Sequence, residues 1–124
     1  MNKIAVYLAG AYTGDVGRNM NRHIDTANAL IDMGYLPLVP CLFHFLEMYK
    51  PRDYETYMDL DLALMHRANC LYRMEGESPG ADREVKYALN ELQIPIYTNF
   101  NDLMKGEPVE QQRKNCGFVF GGGE

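Results

Sequence analysis

Two acids and one turn supply the residue types in this chain that could do chemistry. In SPGADRE, residues 78–84, a Ser-Pro-Gly turn runs into a helical pattern and sets Glu84 in that helix's first turn. A carboxylate there either complements the helix dipole, an effect of about 0.3–1 kcal/mol, or faces a ligand held over the loop. Ser78, Gly80 and the free amides of the helix start form an arrangement suited to an anion, phosphate above all, although an ordinary turn explains the same residues. Asp61 has Tyr57 four positions before it, Leu64 three after and Ala68 seven after, so it faces inward from the apolar side of its helix. Burying a carboxylate without partners is costly. Asp61 therefore pairs with an arginine such as Arg18, caps a loop, or stands as a positioned acid in a cleft.

The elements that must hold these residues follow from periodicity. Residues 3–8 (KIAVYL) read as a buried first strand ending at Gly10, and the glycine-rich loop AGAYTGDVGRN follows. A helix is expected over about 19–33, with Met20, Ile24, Ala27, Ile31 and Met33 as its stripe, Asn19 or Asn21 as cap and Gly34 as stop. Residues 35–39 (YLPLV) read as a second strand, which Pro37 places at an edge, and the connection after Pro40 has room for a short helix. A helix over 53–68, a strand at 70–74, a helix over 81–92, a strand at 94–97 and a helical turn at 101–104 complete the pattern. GFVF at 117–120 is a candidate fifth strand or docking segment. Alternating strands and helices with apolar strands argue for a mostly parallel sheet of four to five strands covered on both faces. The fold expected is a single-domain α/β three-layer sandwich of Rossmann or flavodoxin-like type over residues 1–104, with 105–124 as a tail. In such sheets ligands bind beyond the carboxyl ends of the strands. The loops opening there are 7–18, 40–53 and 75–84.

Composition narrows the classes of function. The chain has 124 residues and a formal charge of -5, which suits one domain and argues against nucleic-acid binding, where a basic face must displace counterions. Cys41, Cys70 and Cys116 are odd in number and widely spaced, so they read as reduced thiols and suggest neither a disulfide framework nor zinc. No apolar run approaches the roughly 18 residues of a membrane span. A soluble cytoplasmic protein with a small-molecule ligand is the expectation, and no cofactor is called for. Gly10, Gly14 and Gly17 lack dinucleotide-binding spacing, and there is no Gly-Lys-Ser/Thr loop. His44 sits in the run LFHFLEMY, a setting that favours a structural histidine, and it is kept as a candidate substrate contact. His23 and His66 lie on helices, with no metal cluster. Tyr7, Tyr12, Tyr35 and Tyr49 offer stacking surfaces or simple packing.

Taken together, YLAG at 7–10, DLALMHRAN at 61–69 and SPGADRE at 78–84 followed by Ala88 resemble the nucleoside 2-deoxyribosyltransferase superfamily, in particular its small bacterial and phage branch. They resemble also the 2'-deoxynucleoside 5'-monophosphate N-glycosidases. The resemblance covers residues 3 to about 97. It implies that Glu84 is the nucleophile attacking the sugar C1', that Asp61 is the aspartate assisting it, and that Tyr7 hydrogen-bonds the nucleophile. The residue six before the nucleophile is an aspartate in the nucleoside transferases resembled and a serine in the monophosphate hydrolases; here it is Ser78. Ser78, Gly80, Gly10 and Arg18 would then contact substrate, with Arg18 placed like a phosphate-binding arginine. The implied activity is cleavage of the base–sugar bond of a nucleoside 5'-monophosphate. Base transfer between deoxynucleosides, hydrolysis of an NAD-type dinucleotide and non-catalytic nucleotide binding are the alternatives. A homodimer or higher homo-oligomer is implied too. The chain departs from the family pattern at Gly10-Ala11, where Gly-Pro is common, at Asn69, where an aspartate closes the motif, and at Lys86, where a small residue is common.

Overall fold

A computed structural model describes residues 2–109. Among them four strands, β1 (Ala5–Ala9), β2 (Leu36–Leu38), β3 (Cys70–Arg73) and β4 (Ile96–Tyr97), form one sheet in the order β2-β1-β3-β4, all parallel. Five α-helices connect or follow them: α1 (Val16–Asp32), α2 (His44–Tyr49), α3 (Tyr54–Met65), α4 (Pro79–Tyr87) and α5 (Phe100–Lys105). The expected strand at 117–120 and Cys116 lie outside the described residues.

All five residues of β1 are buried, because this strand is central and covered on both faces. Val6 and Leu8 face Ala27 and Leu30 of α1 and Leu103 of α5. Tyr7 and Ala9 face the opposite layer, with Met65 of α3, Ala81 of α4 and Ala88. The result is the three-layer α/β sandwich expected. β2 is an edge strand, as Pro37 required. The chain reverses direction across the sheet between β1 and β3, so a crevice opens beyond their carboxyl ends.

Capping moves several boundaries. The Asp15 carboxylate accepts from the Arg18 amide at 3.2 Å and starts α1 ahead of Asn19 and Asn21. Asn19 instead donates its side-chain amide to the Tyr12 and Thr13 carbonyls at 3.2 and 3.0 Å, which ties down the glycine-rich loop. The buried stripe of α1 is Met20, His23, Ala27 and Leu30, while Ile24 and Ile31 are exposed. Ser78 caps α4, its hydroxyl accepting from the Ala81 amide at 3.1 Å, and Pro79 occupies the first helical position. Glu84 therefore lies in the second turn of α4, and Asp82 is the acid beside the dipole. The helix expected to reach residue 92 gives way after Tyr87 to a π-helical turn over Ala88–Leu92. Gln93, at φ 55°, closes it by donating its amide to the Ala88 carbonyl, and Pro95 follows.

Candidate active site

The crevice at the carboxyl ends of β1 and β3 holds a cleft of about 530 Å³. It is walled by Gly10 and Tyr12 after β1, by Cys41 and His44 after β2, by Tyr57, Met58 and Asp61 of α3, and by Ser78, Gly80 and Glu84 of α4. Three loops that are far apart in sequence thus meet where a parallel sheet leaves its strand ends open.

At its floor lies a buried chain of polar groups. The Tyr7 hydroxyl donates to Glu84 Oε2 at 2.7 Å, and the Asp61 carboxyl lies near enough to that of Glu84 for the two to interact and to form a hydrogen bond. Two carboxyls can share such a bond only when one carries a proton. Burial raises the pKa of both. The Tyr7 bond opposes the rise at Glu84, and the Asp61 charge adds to it. The pair therefore titrates as one unit that keeps a proton well above the ordinary carboxylate range. Tyr7 is itself completely buried, and burial beside two acids raises its phenol so far that it stays a neutral donor. Asp61 neither caps a loop nor pairs with Arg18; its partner is Glu84.

The residues expected to touch substrate are divided by the structure. Ser78, Gly80, Gly10 and His44 line the cleft. A Cβ at Gly10 would come within 3.1 Å of Met74 Cβ and 3.3 Å of His23 Nε2, so a side chain there would press on Met74 and His23. His44 Nδ1 is hydrogen-bonded to the Tyr12 hydroxyl, which links the loops after β1 and β2. Arg18 is exposed and outside the cleft. Of the other tyrosines named, Tyr35 packs against the core and Tyr49 is exposed.

Several wall residues were not singled out from sequence. Tyr57 could have been, since it stands one turn before Asp61 on the same helical face. Arg52 and Glu47 carried no signal. His23 is buried; its Nε2–H donates to the Ala11 carbonyl at 3.2 Å, and burial lowers its pKa, so the ring is neutral. Cys41 is no nucleophile at rest, because burial pushes its thiol up to about 11, with the Asp61 charge adding to the effect. Among the described residues no group of three or more His, Cys, Asp and Glu side chains could hold a metal ion.

Residues 4–98 match a domain of unknown function, DUF4406. The chain belongs to this family. No curated protein and no solved structure matches it. The DUF4406 segment spans all four strands and every cleft residue named above. Two departures from the resembled pattern lie away from the cleft of this DUF4406 domain. Asn69 accepts from the Ala5 amide at 2.7 Å, and Lys86 is exposed on the outer side of α4.

Proposed function

We propose that this protein is an N-glycosidase that releases the base from a nucleoside 5'-monophosphate. The observation that carries the proposal is the Tyr7–Glu84–Asp61 chain at the floor of a cleft that also exposes the start of α4. Paired carboxylates are the groups that support an oxocarbenium-like transition state and a glycosyl intermediate. The resemblance to deoxyribosyltransferases and monophosphate N-glycosidases, stated on the same three residues, supports the reading.

In the reaction Glu84 attacks C1' as the bond to the base nitrogen breaks, and the bonding pair leaves with the base. The proton shared by the two carboxyls rests on Asp61 while Glu84 attacks, and Asp61 passes it toward the leaving nitrogen. Water then attacks C1' and gives a proton back to Asp61 as the C1'–Glu84 bond breaks, which restores the Glu84 carboxylate and yields the sugar 5-phosphate. Tyr7 donates to Glu84 throughout. Ser78 and the amides around Gly80 face the phosphate, with a neutral hydroxyl where an aspartate would repel it. A homo-oligomer is proposed on the same resemblance, and sedimentation analysis reads it directly.

The test is a panel of deoxynucleosides, deoxynucleotides and ribonucleotides, with and without an acceptor base, read for free base and sugar phosphate. Free base with sugar phosphate is the expected product pair, and Glu84→Ala should lower the rate roughly a thousandfold or more. Transfer to the acceptor would make the protein a base-exchange enzyme, and nicotinamide release from NAD would make it a dinucleotide hydrolase. No turnover of any compound, or an undiminished rate in Glu84→Ala, overturns the proposal.

A further inference from the structure

Three acids, Glu47, Asp61 and Glu84, face the cleft, and a phosphate monoester entering it meets their negative field. Among the described residues of the lining, Arg52 is the single side chain of fixed positive charge. Its charge is not spent on an ion pair. The ion pairs among the described residues join Arg73 to Asp82 and Arg83 to Glu55, whereas Arg52 is held by uncharged oxygens. Its Nη1 donates to the Lys50 carbonyl at 3.3 Å and to the Tyr57 hydroxyl at 3.1 Å. Both contacts use the same terminal nitrogen. No hydrogen bond among the described residues engages Nη2 or Nε, the edge of the guanidinium that grips an oxyanion with two parallel bonds.

Position agrees with charge. Tyr57 and Asp61 are one turn apart on α3, about 6 Å along its axis, so the Tyr57 hydroxyl holds Arg52 to the helical face that carries Asp61. The starts of α3 and α4 also lie side by side, since a Cβ on Gly80 would lie 3.5 Å from the Tyr54 hydroxyl.

We propose that Arg52, oriented by Tyr57, is the anion anchor of this cleft and binds the 5'-phosphate of the ligand through Nη2 and Nε. The assignment takes its ligand class from the N-glycosidase reading, but an anion site at Arg52 can be measured without any turnover. Ribose 5-phosphate has no base to lose, so calorimetric titration of ribose 5-phosphate against ribose reads the phosphate contribution alone.

Wild type should bind the phosphorylated sugar and not the bare one. Arg52→Ala should weaken that binding about ten- to hundredfold. Arg52→Lys should recover only part of it, because an ammonium cannot form the paired contact. Tyr57→Phe should fall between wild type and Arg52→Ala, and Arg18→Ala should bind as wild type does. Arg52 is exposed and precedes the cap of α3, so its replacement leaves the core untouched, and circular dichroism checks that the variants fold. Equal binding by Arg52→Ala and wild type overturns the assignment even where base release depends on Glu84. Loss of binding in Arg52→Ala supports it even where no base is released. A wild type that binds neither sugar also overturns it.

Discussion

At the scale of single residues, Glu84 differs most from its expected state. A carboxylate in a first helical turn is kept ionised by the dipole, but Glu84 sits one turn further in, buried against Tyr7 and Asp61. Its environment favours a proton, and the bond from the Tyr7 hydroxyl is the contact that most favours the charged form. Tyr7→Phe removes that contact and leaves only the Arg73 charge to oppose burial and Asp61, so the acidic limb of the rate profile should move to higher pH. The maximal rate should fall about ten- to a hundredfold, as for other hydrogen bonds to charged groups. Rates of base release across pH in both proteins check this; an unmoved limb would show that Tyr7 does not tune the nucleophile. The meeting of these three residues was legible because three short motifs placed Tyr7, Asp61 and Glu84 on converging elements. Arg52 was not legible, because its place in the cleft depends on a side-chain bond to Tyr57, five residues on, that no periodicity encodes.

At the scale of elements, Ser78 and Asn69 each join two pieces of backbone. Ser78→Ala deprives the start of α4 of its cap and should cost about 1 kcal/mol in urea unfolding. It should also raise KM for nucleotides more than for nucleosides, and an equal change for both would remove Ser78 from phosphate recognition. Asn69 ties the end of the α3–β3 connection to the start of β1 through the Ala5 amide. Asn69→Ala leaves that amide without its partner and should cost about 1–3 kcal/mol, with base release unaffected once the protein is folded. The parallel sheet, its layers and the edge role of β2 were readable from hydrophobic runs and from Pro37. Helix limits were not, because Asp15, Ser78 and Gln93 set them through capping bonds and one left-handed residue. The α1 stripe was misread for a related reason. His23 took a buried position expected of a branched apolar side chain, since its ring nitrogen found the Ala11 carbonyl.

At the scale of the molecule, the buried carboxyl pair sets a pH dependence of stability. Both groups ionise in the ordinary range once the chain unfolds, but burial raises both in the fold. Between those limits the native state holds more protons than the unfolded one, so stability declines as pH rises through that window and is greatest below it. Glu84→Gln should flatten the decline and exceed wild type in stability on the alkaline side. Urea midpoints at about pH 5 and about pH 9 check this, and a wild type equally stable at both would contradict it. No described helix is long and apolar enough to cross a membrane. The sheet also limits how the protein can associate. The Leu36 amide points inward to the Ile4 carbonyl at 2.9 Å, so the alternate position, Pro37, sits where an outward donor would be and has none. On the opposite flank Val109 donates its amide to the Ile96 carbonyl at 2.9 Å and lies along two-residue β4. Among the described residues neither border offers a free ladder to an incoming strand, so the surfaces these residues leave for a second copy are helices and loops rather than an open sheet edge.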